Sequence, residues 1–414
     1  MRVGSIIGIC LALLFVAAAM MSCTTKGINF EAGLKKFEAR QFDEALVVFQ
    51  EIAKTETKYT NRARFYVGEC FKFQAKWDEA TAQFQMVADS EPMTSYLGIE
   101  AKNRVAQIRE GRRDIQRLKI LHDNNPDKYD VAADALLEWG SVYDNKLGDY
   151  EQAIETYKQL LQEFPGTPKA AQAQYNIGSI YFYKLYDLDK GWKAFQEINE
   201  ENYPEMKFRI AEVQDLLRET NKVRGEIIEH MLFIKQSQKR KIPEFGKVIG
   251  YEIYGVKQDQ VAQSFLAIGQ KWKQLKDYPK AIEAYRMLIE RLPLMLRQAA
   301  QARFAIAEIY QLDLNRYYEA VDAYEEYIKY HPTDYRRDEA IYGIALCYET
   351  LRNYEMAYEY YKTYRDTYND PPGKFYKPAE LKVRQYEYDE DQDGYAYYKE
   401  IAAGTSDTDP NSHP

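Results

Sequence analysis

Residues 262–293 read AQSFLAIGQKWKQLKDYPKAIEAYRMLIERLP. Apolar residues recur at three- and four-residue steps before and after Lys276-Asp277, so the stretch predicts two amphipathic helices in a hairpin, with Pro293 ending the second. Just past the turn stands a phrase: an aromatic (Tyr278), then Ala281, then a second aromatic (Tyr285) four residues on. The same phrase occurs as Phe42, Ala45 and Phe49, as Trp77, Ala80 and Phe84, and as Tyr150, Ala153 and Tyr157. It returns as Tyr317, Ala320 and Tyr324, and as Tyr354, Ala357 and Tyr361. A phrase recurring in this way describes one supersecondary unit copied in series, and such stacks usually bind rather than catalyse.

The intervals Ala45 to Ala80, Ala281 to Ala320 and Ala320 to Ala357 are each close to a unit of roughly 34 residues. Ala80 to Ala153 spans about twice that, so residues 95–128 are expected to hold a degenerate copy. Its first helix would run through Val105 and Ile108 and its second through Ile115, Leu118 and Leu121, with Pro126 beyond.

Gly68, Phe71, Ala80, Phe84 and Pro92 stand at the same mutual offsets as Gly269, Trp272, Ala281, Tyr285 and Pro293. These residues resemble the landmarks of the tetratricopeptide repeat. The resemblance implies an all-α superhelical solenoid of roughly eight repeats. Its small residues would sit where helices approach closely, its aromatics between layers, and Pro92, Pro165, Pro293 and Pro332 where second helices stop. Three copies depart from the pattern. The first has Lys36 where an aromatic is usual, the copy ending at Pro165 has one extra residue in its Asn145-Asp149 turn, and the next has Gly191 where alanine belongs. The resulting organisation is an N-terminal array over 28–202, an irregular helical linker over 203–259, a C-terminal array over 260–368, and a capping helix with an acidic tail over 369–414. Within the linker, the helical periodicity of Met206 to Ser237 reads as a degenerate pair. Residues 239–246 read as a basic, broken surface connection, the alternative being a hinge or docking loop.

By the same resemblance, groove-lining positions alternate with landmarks along the first helix of each repeat. They fall on Arg62, Phe65, Glu69, Lys72 and Phe73 in one unit, on Gln270, Lys273 and Gln274 in a second, and on Glu339, Tyr342 and Glu349 in a third. Mixed charge, amides and aromatics suit an extended peptide or a partner's helix.

Residues 1–22 stand apart from the repeats. Arg2 supplies a minimal positive start, Ile6 to Ala19 an apolar stretch of signal-peptide length, and Met20-Met21-Ser22-Cys23 an end. A small residue before a cysteine resembles the bacterial lipoprotein signal. That implies removal of 1–22, diacylation of Cys23 and a short tether over 23–27. An ordinary cleaved signal and an uncleaved anchor are the other readings. Several acyl chains hold a protein stably on a membrane where one is marginal. Thr24, in the place where aspartate retains such proteins at the inner membrane, implies the bacterial outer membrane, facing the periplasm.

The net charge of −8 gives no basic face for nucleic acid. Tyrosine, at 37 residues against 18 Phe and 4 Trp, offers apolar area with a hydroxyl and so can pack between helices or line a wet groove. Cys70 and Cys347 lie in apolar helical runs of widely separated repeats, where packed helices about 8–10 Å apart place them beyond disulfide reach, so they are expected to be buried and unpaired. The four histidines show no HExxH spacing, no cysteines pair at metal-ligand spacing, and no nucleophile elbow, P-loop or Rossmann glycine pattern is present. No enzymatic activity is expected.

One motif rises above this background. Asp389-Glu390-Asp391-Gln392-Asp393-Gly394, closed by Glu400, resembles the EF-hand calcium loop. Asp389, Asp391, Asp393, the Tyr395 carbonyl and Glu400 would be the ligands of a Ca2+ ion, with Gly394 at the sharp turn. Ala396 replaces the branched apolar residue usual there, and an acidic solvated turn is the competing reading.

The function expected is a membrane-anchored scaffold binding protein or peptide partners in envelope assembly or secretion. Phe164-Pro165-Gly166-Thr167-Pro168, with the helix that follows, resembles junctions in two periplasmic groups: the lipoproteins of outer-membrane β-barrel assembly and the Tol–Pal-associated division coordinators. Two alternatives stand beside it, a carbohydrate- or peptidoglycan-binding accessory module and a calcium-dependent assembly module.

Overall fold

The structure, a computed structural model, describes residues 30–92, 94–185, 187–198, 203–238, 256–409, 411, 412 and 414. The signal segment, Cys23 with its tether, and the 239–246 connection lie outside the described residues. The chain divides into two compact units, Met1–Met93 with Leu97–Ile210, and Thr94–Tyr96 with Ala211–Pro414.

In the first unit α1 (30–38) pairs with α2 (Phe42–Ala53), and α3 (Thr60–Phe73) with α4 (Trp77–Ser90). A long single helix, α5 (Tyr96–Asp123), follows. Then α6 (Tyr129–Ser141) pairs with α7 (Tyr150–Glu163), and α8 (Pro168–Ser179) with α9 (Leu188–Gln196). The helix α10 (Pro204–Gln238) carries the chain to the second unit, where α11 (Val256–Gln274) pairs with α12 (Tyr278–Arg291). There α13 (Leu296–Glu308) pairs with α14 (Tyr317–Tyr330), and α15 (Arg337–Thr350) with α16 (Tyr354–Thr367), before α17 (Tyr376–Glu387) and α18 (Tyr397–Ala403). Among the described residues there is no β-strand, and no helix is long and apolar enough to cross a membrane.

The hairpin turn explains the repeated phrase. Arg40, Ala75, Lys276 and Arg352 each take a left-handed conformation, φ between 55° and 58°, two residues before the first aromatic. This closes the first helix: the N–H groups of Gln41, Lys76, Asp277 and Asn353 donate to the carbonyls of Lys36, Phe71, Trp272 and Tyr348 at 2.9–3.0 Å. The next residue often caps the second helix. Asp149, Asp187, Asp277 and Asn353 accept from the backbone N–H three residues on, at 3.1–3.3 Å. An L-residue held left-handed is strained. Ala75→Gly is therefore expected to stabilise the first unit by about 0.5–1 kcal/mol, read from its denaturant midpoint; an unchanged or lower midpoint would show the turn to be unstrained.

The phrase residues form the seam between helices. Ala45, Ala80, Ala153, Ala281, Ala320 and Ala357 are fully buried, and so are Phe49, Phe84 and Tyr361. The reason for Gly68 and Gly269 is steric: a Cβ would stand 2.7 Å from the Phe84 ring at the first and 2.4 Å from the Tyr285 ring at the second.

Three expectations change. Residues 95–128 do not fold as a helical pair, because α5 runs unbroken through both predicted halves. Arg109-Glu110-Gly111-Arg112-Arg113-Asp114 between them contains no proline or two-residue turn, and Gly111 alone costs a helix only about 1 kcal/mol. Its small size serves packing instead, since a Cβ there would lie 2.7 Å from Leu147. The Met206–Ser237 stretch is likewise one helix of 35 residues, α10, and not a pair. Finally, the extra residue before Tyr150 is absorbed by widening the helix end into a π-helical turn, Val142–Leu147, closed by Gly148 at φ 68°. The same device appears at Ile180–Lys184 and Ile309–Asp313. At Ile180–Lys184 it accounts for Gly191, where a Cβ would sit 2.9 Å from the Phe182 backbone nitrogen and even alanine would clash.

Candidate functional site

First helices project one face away from their hairpin partners, and the expected groove positions lie there with very different freedom. In α3 the face is mostly used up. The Arg62 guanidinium is buried over the rings of Phe30 and Tyr59, at 4.6 and 5.2 Å. Buried Glu69 accepts from Arg104 of α5 at 2.7 Å, and half-buried Phe65 meets Phe84 edge-on at 5.2 Å. Phe73 stacks flat on Phe42 at 4.6 Å, although its ring stays 37% exposed. Lys72 reaches across to Gly148, its Nζ 3.8 Å from where a Cβ would be, and burial holds its ammonium below the usual lysine range. Arg40 donates to the Lys184 carbonyl, so the turn ends of several first helices converge in this unit.

In α15 the face is covered by the segment that follows the last hairpin. Tyr342 stacks on Phe375 at 4.4 Å, Glu339 pairs with Lys374 at 3.0 Å, and Glu349 binds both Lys382 at 2.5 Å and the Tyr361 hydroxyl at 2.7 Å. Arg62, Glu69, Glu339, Tyr342 and Glu349, expected in the groove, thus also hold neighbouring helices together. The physical reason is that adjacent first helices lie close enough for long side chains to bridge them. In α11, by contrast, Gln270 and Gln274 are exposed in line with exposed Gln263, while Lys273 pairs with Asp313 at 3.1 Å.

The acidic loop between α17 and α18 is the most organised polar cluster. Asp389, Asp391 and Asp393 bring carboxylate oxygens within 4.8 Å of one another. The Gly394 N–H donates to Asp389 Oδ2 at 3.0 Å, the Asp393 N–H to Asp391 Oδ1 at 3.2 Å, and the Tyr395 N–H to Asp393 Oδ1 at 2.8 Å. Gly394 takes φ 96°, a conformation that favours glycine. Glu400, on the first turn of α18, is fully buried. Burial, contact with the Asp407 carboxylate, and the charges of Asp391 and Asp393 push its carboxyl up to about 6. Sequence reasoning missed Asp407, which lies seven positions past the motif and returns beside it, accepting from the Glu390 N–H at 3.5 Å.

Family comparison agrees with the hairpin geometry. Residues 134–167, spanning most of α6 and α7, match a tetratricopeptide-repeat model, and residues 309–372, running through α16, match a second. The chain contains tetratricopeptide repeats. A stretch of 84 residues is 38% identical to the CTR9 homolog of Arabidopsis thaliana, covering 20% of this chain and 7% of that protein. Among solved structures, the TPR2AB domain of yeast Sti1 in its pHSP90 complex is 15% identical, over 87% of this chain and 99% of that one, with a TM-score of 0.25. The C-terminal part of a TPR repeat-containing protein from Cytophaga hutchinsonii is 15% identical, over 86% and 99%, with a TM-score of 0.24. Superpositions that loose say nothing about binding.

Within these tetratricopeptide repeats the tyrosine hydroxyls tie one helix to the next. Tyr358 donates to Glu387 at 2.8 Å, Tyr360 to Glu325 at 3.2 Å, Tyr364 to Asp338 at 3.2 Å and Tyr324 to Gln311 at 2.8 Å. His331 faces Arg303, whose Nη1 lies 3.2 Å from its Nε2. An arginine only donates, so the ring nitrogen accepts and the imidazole is neutral; burial and that guanidinium hold it below the usual histidine range. Cys70 and Cys347 are free and fully buried, and burial pushes each thiol up to about 12, which leaves them unreactive.

Proposed function

We propose that this protein is a non-catalytic scaffold of the bacterial cell envelope. It is held by lipid on Cys23 at the periplasmic side of the outer membrane and binds an extended segment of a protein partner along α11, the first helix of the second array. The observation that carries this reading is the exposed amide stripe Gln263, Gln270 and Gln274 on α11, whereas the corresponding faces of α3 and α15 are occupied by internal pairs. Amide side chains can both donate to and accept from a partner's backbone, the chemistry that recognition of an extended peptide requires. The carbohydrate-binding alternative needs tyrosines exposed in a line. Tyr157, Tyr285, Tyr324, Tyr327, Tyr361, Tyr364 and Tyr386 are instead buried between helices, which speaks against it.

A photo-crosslinking side chain placed at Gln270 or Gln274 in cells is expected to capture a discrete partner. The same group at Glu283, exposed on the second helix α12, is expected to capture none. Equal capture at both positions, or none at either, would overturn the assignment of the face. Cys23→Ser is expected to move the protein out of the membrane fraction; a variant that stays there would exclude the lipid anchor.

A further inference from the structure

The loop over residues 389–400 places acids at its first, third, fifth and twelfth positions, with Tyr395 at the seventh. Three of the carboxylates already converge, each accepting a backbone N–H on one oxygen. Asp389 Oδ1 and Asp391 Oδ2 are buried atoms with no hydrogen-bond partner among the described residues.

Glu400 supplies an independent indication. Its side chain is fully buried, Oε1 lies a long 3.4 Å from the Thr405 hydroxyl, and no N–H or O–H group among the described residues donates to Oε2. It sits in the field of Asp391 and Asp393 and against the Asp407 carboxylate. Burying a carboxylate among other carboxylates is strongly unfavourable unless a positive charge joins them.

The structure assigns that charge to a bound calcium ion: we propose that Asp389, Asp391, Asp393, the Tyr395 carbonyl and Glu400 bind one Ca2+, which fastens α18 to the end of the repeat array. The donor set is all oxygen, with neither histidine nor cysteine, which selects a hard cation over zinc or copper. A loop ending in a glutamate that can bind through both oxygens supplies the six to eight ligands calcium takes at about 2.3–2.6 Å. Magnesium demands a tighter octahedron and keeps its waters.

The ion's consequence follows from what α18 touches. Tyr398 stacks on Tyr358 of α16 at 4.5 Å, Tyr397 faces Tyr386 of α17 at 6.4 Å, and the Tyr397 N–H donates to the Tyr388 carbonyl at 2.8 Å. A seven-residue helix is too short to persist on its own, so these contacts last only while the loop holds α18 in place. Removing the ion leaves mutual repulsion inside the loop and frees the last pair, since metal binding and local folding are coupled.

The test is calorimetric titration of the chelator-treated full chain with CaCl2, with MgCl2 as competitor, alongside hydrogen exchange of residues 376–403. One calcium per chain is expected, with slowed exchange confined to α17 and α18. Asp391→Asn and Glu400→Gln are expected to weaken binding by roughly tenfold or more while leaving the circular dichroism of the metal-free protein unchanged. Should buried Glu400→Gln disturb folding, half-exposed Asp391→Asn carries the test alone. The proposal is overturned by a folded wild type that shows neither heat nor slowed exchange at millimolar calcium (about the weakest range of such sites). Variants that bind as the wild type does would also overturn it, as would magnesium binding as tightly as calcium.

Discussion

Phe84→Ala is expected to destabilise the first unit by about 3–5 kcal/mol. The ring is fully buried, lies over the Gly68 backbone and meets Phe65 edge-on at 5.2 Å, so nothing near it can collapse into the space without moving α3 against α4. In a stacked array each hairpin contacts mainly its neighbours, and stability is close to a sum of local terms. The loss should therefore appear as faster hydrogen exchange in α3, α4 and α5, with α11 to α16 protected as in the wild type. A uniform loss across both units would mean that the chain unfolds as a single cooperative body and that the repeats are not the energetic unit.

Gly269→Val and Gly225→Ala are expected to move stability in opposite directions. At Gly269 a Cβ would stand 2.4 Å from Tyr285, a ring held on all sides in the core, and the added branches crowd it further. Overpacking of this kind costs about 1–3 kcal/mol, and the smaller Gly269→Ala should already be destabilising. Gly225 lies on the exposed face of α10 with nothing within 4 Å of its would-be Cβ. There the methyl group meets only water, and Gly225→Ala should gain about 0.5–1 kcal/mol from helix propensity. Thermal unfolding of the two single variants reads both signs. A tolerated valine at 269 would contradict the close approach on which the repeat geometry rests.

What the sequence disclosed was local. The turn residues, the alanines and the paired aromatics fall within one hairpin, where spacing along the chain maps directly onto spacing in space. For this reason the hairpins α3–α4 and α11–α12 are legible from residue spacing alone. The continuity of α5 was less visible because it depends on an absence: a charged, helix-compatible stretch around Gly111 that lacks a turn. The widened turn at Val142–Leu147 was legible only as one surplus residue. Face occupancy was hidden altogether. Glu69 and Arg104 are 35 residues apart, and Glu349 and Lys382 are 33 apart, so each bridge follows from how successive hairpins stack. Single-helix periodicity cannot distinguish a residue reaching toward a partner from one reaching toward the next repeat. Asp407 escaped for a related reason, since it joins the acidic loop only after the chain turns back past α18.

If the aromatic-alanine phrase builds the array while recognition lies on the exposed first-helix stripe of α11, binding and stability must separate at that stripe. The deciding quantity is the affinity of the partner captured at Gln270 for the double variant Gln270→Lys/Gln274→Lys, beside Glu283→Lys as control. The double variant is expected to bind roughly tenfold or more weakly with an unchanged unfolding midpoint, and the control to bind as the wild type does. Unaltered affinity in the double variant, or an equal loss in the control, would contradict a recognition face on α11.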